Sequence, residues 1–133
     1  MIIVTGASGF VGRAIVSTAF DRGLDVKASV RMMPPDPVAG VEYAAGMSLS
    51  PDADWRAALS GISVVVHTAA RVHIMRDAAS TSLDQFRHVN VAGTLNLARQ
   101  AAEGGVRRWV FVSSIKVNGE QTTPGCPYTA LDP

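Results

Sequence analysis

Along the chain, short apolar runs rich in β-branched residues alternate with stretches whose apolar positions recur every three or four residues. The runs 2–5 (IIVT), 25–30 (DVKASV), 41–45 (VEYAA), 62–69 (ISVVVHTA) and 108–114 (RWVFVSS) read as strands. Between them lie three helical patterns. The first, 10–22, puts Val11, Ala14, Ile15, Thr18 and Ala19 on one face and stops at Gly23. The second is short, 54–59, and the third is long, 82–103, with a stripe of Phe86, Val89, Gly93, Leu97 and Ala101 ended by Gly104 and Gly105. A loop falls at 32–37 (MMPPDP), and from Asn118 the text turns polar and rich in turn formers. Strands alternating with helices predict an α/β fold: a doubly wound parallel sheet with helices on both faces, its fifth strand the last before the closing loop.

A length of 133 residues, 47% of them hydrophobic, fits one domain, 1–133, with a real core and no second lobe. A net charge of +1 without a Lys/Arg block points away from nucleic acid and membrane surfaces and toward a small-molecule or protein partner. The single cysteine, Cys126, has no second cysteine to pair with and no activating base beside it, so a reducing compartment and no chemistry are expected. No apolar stretch is long enough to span a bilayer, and no charged leader precedes Ile2, which predicts a soluble, cytoplasmic protein.

The stretch 4–13 (VTGASGFVGR) joins the first strand to the first helix with Gly6, Gly9 and Gly12 at every third residue. This is where a doubly wound sheet receives a dinucleotide pyrophosphate. Gly6 permits the tight turn, Gly9 the approach of phosphates, and Gly12 close packing of helix on strand. The bland alternative is a tight turn with no ligand. Small residues at Thr68, Ala69 and Ala70 suit a strand end facing a flat cofactor.

The motif T-G-x-x-G-x-x-G at 5–12 resembles the extended short-chain dehydrogenase/reductases of the NAD-dependent epimerase/dehydratase group. VVVHTAA (64–70), the stretch 89–114 and SSIKVNGE (113–120) resemble that family at separated places, so the likeness runs through nearly the whole chain. It implies a Rossmann-type, NAD(P)-binding domain acting on nucleotide sugars. Gly6, Ser8, Gly9, Phe10, Val11 and Gly12 would meet the pyrophosphate; Thr68, Ala69 and Ala70 would pack near the riboses; Asn90 would hold the backbone near the active site, or merely satisfy a helix kink. Ser113 would lie near the cofactor and Ser114 would be the catalytic serine, although Ser-Ser at a strand end is otherwise an ordinary cap.

Where NAD-binding members carry an acidic residue at the end of the second strand, this chain has Val30 and Arg31. Arg31 favours NADP through a 2′-phosphate, unless it is only a solvated arginine. Met47 stands where the family has an acidic residue for the adenine, a contact that would pass to backbone groups or Ser48. The family's Tyr-x-x-x-Lys, whose tyrosine exchanges the substrate proton, is absent: Tyr43 and Tyr128 are the only tyrosines and neither has a lysine four residues on. PYTALDP (127–133) resembles the stretch preceding that helix, so the chain is expected to be the N-terminal part of a longer enzyme and inactive by itself.

His67, His73 and His88 have no metal-ligand spacing and no metal is expected. Arg71, Arg76 and Lys116 lie near the expected cleft, with solvated surface the simpler role, and Asp77 and Asp84 read as helix-start residues. The leading function is a nucleotide-sugar epimerase or dehydratase using nicotinamide hydride chemistry. A NADP-dependent ketoreductase, or a non-catalytic NAD(P)-binding sensor module, are the alternatives. Strand five, around Val110 to Val112, is expected to form a sheet edge prone to dimerisation.

Overall fold

The computed structural model describes residues 1–72, 79–119, 121–129 and 131; His73, Arg76 and Asp77 lie outside them. Five strands, β1 (Ile2–Thr5), β2 (Val26–Ser29), β3 (Glu42–Ala44), β4 (Val64–His67) and β5 (Arg108–Phe111), form one sheet in the order β3-β2-β1-β4-β5. Every ladder is parallel, with Thr5 opposite both Ser29 and His67. The chain steps from β1 to β2 and β3 in one direction and to β4 and β5 in the other. The crevice above the carboxyl ends of β1 and β4 is therefore the switch point of a Rossmann-type sheet.

Alternation along β1 feeds two cores. Ile3 points to one face, where it joins Trp55, Leu59, Ile62, Val65, Leu97 and Ala101; Val4 points to the other, with Val16, Ala19, Val26, Ala28 and Val30. Helix α1 (Phe10–Asp21) covers the second face, while α2 (Arg56–Leu59) and α4 (Thr94–Glu103) cover the first. At roughly 1.5–3 kcal/mol for each large apolar side chain removed from water, these two clusters dominate the stability of the sheet.

The strands are shorter than their apolar runs, because residues 68–70 and 112–114 leave the sheet to line its carboxyl edge. Helix α1 buries Gly12, Val16 and Ala19 with Ile15 packed beside them, while Val11, Ala14 and Thr18 of the expected face are exposed, since Gly12 has to lie against the Gly6 turn and its neighbours one and two turns on follow it inward. The long helix is already formed at Ala79, ahead of 82: α3 (Ala79–Phe86) passes into a π-helical stretch, Arg87–Gly93, before α4. Asp84 accordingly sits well inside α3 and starts nothing.

Two contacts fall on the π-helical stretch. Gly93 lies so close to the Leu49–Ser50 backbone that an added Cβ would be 2.9 Å from Leu49 C and Ser50 N. Within the same stretch, the Asn90 side chain reaches the backbone of Arg71. Such stretches commonly mark places where a helix is bent toward a site.

Candidate functional site

Gly6 has φ +66, and a Cβ there would stand 2.8 Å from Ala69 N and 2.9 Å from Thr68 Oγ1. Both the conformation and the space demand glycine. A Cβ on Gly12 would fall on the Gly6 carbonyl, 2.8 Å from its carbon. Gly9 differs: its backbone is extended, with φ −77 and ψ 166, and it is exposed together with Ser8.

The Gly9 N–H donates to the Gly6 carbonyl at 2.9 Å, closing the turn directly onto α1. The helix begins with no side-chain cap and no acidic residue in its first turn, so its first N–H groups face outward unpaired by either. Phe10, 94% exposed, and Val11 project from this rim.

At the exit of β4, the Thr68 hydroxyl donates to the Thr5 carbonyl at 2.6 Å, and the Ala69 N–H donates to Thr5 Oγ1 at 3.3 Å. These bonds press residues 68–69 against Gly6, with Ala70 exposed beyond them. Asn90 then fixes the next residue: its Oδ1 accepts the Arg71 N–H at 2.7 Å and its Nδ2 donates to the Arg71 carbonyl at 2.9 Å. The Arg71 guanidinium lies 5.7 Å from the centre of the Phe86 ring.

At the exit of β2, Val30 is buried and Arg31 exposed. Met47 packs against the core on the α2/α4 face and its N–H donates to the Val30 carbonyl at 3.0 Å, so both its ends serve the fold; Ser48 beside it is exposed. The loop after β2 is tied back to α1 by a bidentate pair between Arg13 and Asp36, at 2.7 and 2.8 Å. It is exposed, and solvent screening leaves such a pair little net stabilisation.

At the exit of β5, Ser113 and Ser114 are exposed on the same carboxyl edge. Ser114 Oγ accepts the Lys116 N–H at 3.3 Å and opens a 3-10 turn, Ile115–Val117. Both tyrosines hold loops: Tyr43 accepts from the Val38 N–H and Tyr128 donates to the Gln121 carbonyl, each at 2.9 Å. Cys126 is exposed. His88 is exposed on the π-helical stretch, and among the described residues no group of three or more His, Cys, Asp and Glu is placed to hold a metal ion.

The pattern of residue types missed His67. It is 1% exposed at the end of β4, its Nδ1 2.7 Å from Thr5 Oγ1 and its Nε2 3.0 Å from Thr94 Oγ1, beneath Trp109 and Phe111. Burial pushes the ring down to about 4 from its ordinary 6.5. The available signal was a polar residue closing each of two apolar strands, Thr5 and His67.

A parallel sheet with a glycine turn at its switch point defines a Rossmann-type nucleotide-binding protein. The chain belongs to the NAD dependent epimerase/dehydratase family, whose profile matches residues 2–133. It is 42% identical over 132 residues to the UDP-glucose 4-epimerase of Vibrio cholerae, a match covering 98% of this chain and 40% of that one. It is 33% identical over 135 residues to a 3-beta-hydroxysteroid dehydrogenase of Mycolicibacterium neoaurum, covering 92% and 36%. A short-chain dehydrogenase/reductase superfamily protein from Agrobacterium tumefaciens, solved with bound NAD, superposes with a TM-score of 0.78 at 35% identity, over 100% of this chain and 38% of that one. The chain thus spans about two fifths of the length of these relatives. Among the described residues no helix is long and apolar enough to cross a membrane.

Proposed function

We propose that residues 1–133 are the cofactor-binding part of a nucleotide-sugar epimerase or dehydratase, with a further substrate lobe elsewhere in the protein. The observation that carries this is the glycine turn packed onto Thr68–Ala69 at the switch point, beneath a helix end with neither cap nor carboxylate. That cradle fits a dinucleotide: Gly6, Ser8, Gly9, Phe10, Val11 and Gly12 would hold the pyrophosphate through backbone N–H groups, and Thr68, Ala69 and Ala70 would line the ribose side. A nicotinamide cofactor bound there supplies hydride exchange.

Ser114 would act at the substrate. Its Oγ already accepts the Lys116 N–H, so its own proton is free to be donated to the oxygen of the reacting carbon. Ser113 would stand nearer the cofactor, and Asn90 would keep the β4 exit in place. The proton itself needs a base, and we expect a Tyr-x-x-x-Lys roughly 10–25 residues past Pro133, as a site of this class requires a base within reach of that oxygen.

Turnover of UDP-glucose by the full-length protein tests the reading. Interconversion without added cofactor, falling about 100-fold in Ser114→Ala while cofactor binding holds, is the expected result. Cofactor binding with no turnover, unchanged in Ser114→Ala, would make it a binding module instead.

Val30 and Arg31 favour a second reading, a NADPH-dependent reductase, because the β2 end offers a guanidinium and no carboxylate. On that reading Arg31→Ala weakens NADPH binding about tenfold and leaves NADH unchanged, the size of one lost charge-assisted hydrogen bond.

A further inference from the structure

His67 is set apart from the other polar residues of the sheet by having both ring nitrogens engaged by side chains from two other elements. Thr5 comes from β1, 62 residues away, and Thr94 is the first residue of α4. One arrangement of protons satisfies all of these groups at once. In it, Thr5 Oγ1 receives the Ala69 N–H and gives its own proton to His67 Nδ1. The ring is then the neutral Nε2–H form, and that hydrogen goes to Thr94 Oγ1. The chain of donation runs from Ala69 N–H through Thr5 O–H and the imidazole to Thr94.

We propose that His67 is a positioning residue for the dinucleotide crevice: through Thr5 it fixes the β4 exit at the spacing from Gly6 that the phosphates need, and through Thr94 it anchors the helix that carries Asn90. The inference rests on the cofactor-binding reading above and adds to it a residue that would touch neither cofactor nor substrate. Its force lies in how little room the crevice floor has. Ala69 N is 2.8 Å from where a Gly6 Cβ would be, so the turn has no slack, and Thr5 is the residue that bonds the two sides through both its hydroxyl and its carbonyl. Turning the Thr5 hydroxyl away from His67 would release the Ala69 N–H from its acceptor. Asn90 lies four residues before Thr94 and holds Arg71 by its backbone, so the same helix grips the β4 exit twice, once on each side of residues 68–70.

Among the described residues, Thr5 and Thr94 are the hydroxyl groups bonded to the ring. Burial is the cause acting on the ring's protonation, and its remaining neighbours, Trp109 and Phe111, contact it with ring centres at 5.3 and 5.8 Å. Removing the nitrogens while keeping a flat ring therefore isolates the hydrogen bonds from the packing.

The test uses the full-length protein and two probes, NADH and NADPH, titrated against wild type, His67→Phe, His67→Asn and Thr94→Val. In His67→Phe we expect an affinity loss of at least tenfold at temperatures where the variant is folded. His67→Asn keeps an acceptor for the Thr5 hydroxyl and should recover most of that loss; Thr94→Val should lose two- to fivefold. Equal affinity in wild type and a folded His67→Phe overturns the proposal.

The ring is read separately in wild type by nitrogen NMR. A neutral ring held in one tautomer, with Nδ1 unprotonated and Nε2 protonated, is expected; a ring exchanging freely between tautomers, held by neither threonine, overturns the proposal even where His67→Phe fails to fold. If wild type binds neither probe, the cofactor reading fails, and the NMR result together with amide exchange at Ala69, expected to quicken in Thr94→Val, still decides whether His67 sets the crevice floor.

Discussion

Gly6 and Gly23 share a left-handed backbone, at φ +66 and +69, but only Gly6 is crowded, while nothing lies within 4 Å of a Cβ at Gly23. Gly23→Ala should therefore cost about 1 kcal/mol, the conformational penalty alone. Gly6→Ala should cost at least about 3 kcal/mol, since Ala69 and Thr68 must also move. Urea unfolding of the two variants checks the difference. His67 gives the residue scale its pH dependence. Its folded value of about 4 lies below the ordinary 6.5, so between these limits the unfolded chain binds more protons and stability rises with pH. The contribution is complete above about 6.5 and is lost as pH falls toward 4, roughly 3 kcal/mol in all. Wild type should lose stability more steeply than His67→Phe between pH 7 and 4.5, and parallel curves would contradict a buried neutral ring.

At the scale of elements, α4 holds the loop before α2 by two amides. Gln100 Oε1 accepts the Trp55 N–H at 2.7 Å while its Nε2 donates to the Ala53 carbonyl at 2.8 Å, and Asn96 Nδ2 donates to the Ser50 and Ala53 carbonyls. Trp55 is buried in the core, so Gln100→Ala should cost about 1–3 kcal/mol by stranding its N–H, seen as a lower urea midpoint with an unchanged slope. The strands and the two longer helices were legible to within a few residues, because apolar runs and helix-ending glycines such as Gly23 and Gly105 are local signals. Ile15 and Ala19 of the inner face of α1 were legible, but Val11, Ala14 and Thr18 were not, because counting apolar residues from Val11 ignores Gly12, whose contact with Gly6 sets the rotation. The π-helical stretch was not legible, since it answers to Leu49, Ser50 and Arg71, residues distant in sequence. The glycine turn and the small residues at 68–70 were plain; His67 was not, because its meaning appears only when β1 and β4 come into register.

For the whole molecule, β5 forms one edge of the sheet, and Val110, Phe111, Val112, Ile115 and Val117 are exposed on and just beyond it. An edge strand with this much apolar surface is prone to pair with another chain. The 133-residue chain should associate as concentration rises, and Val110→Lys should reverse this; a strictly monomeric chain at high concentration in light scattering would contradict it. The central claim is that a dinucleotide lies against the glycine turn, and Gly9 tests it most directly because it is exposed and already in a backbone conformation open to any residue. A Cβ there would meet the Gly6 carbonyl at 3.2 Å, a tight contact with no other beside it, so Gly9→Ala should cost on the order of 1 kcal/mol and still fold. Titrating the full-length wild type and Gly9→Ala with NADH and NADPH, at temperatures where the variant is folded, should show saturable binding that the variant loses by at least tenfold. Wild-type affinity in a folded Gly9→Ala would mean that no phosphate approaches this turn.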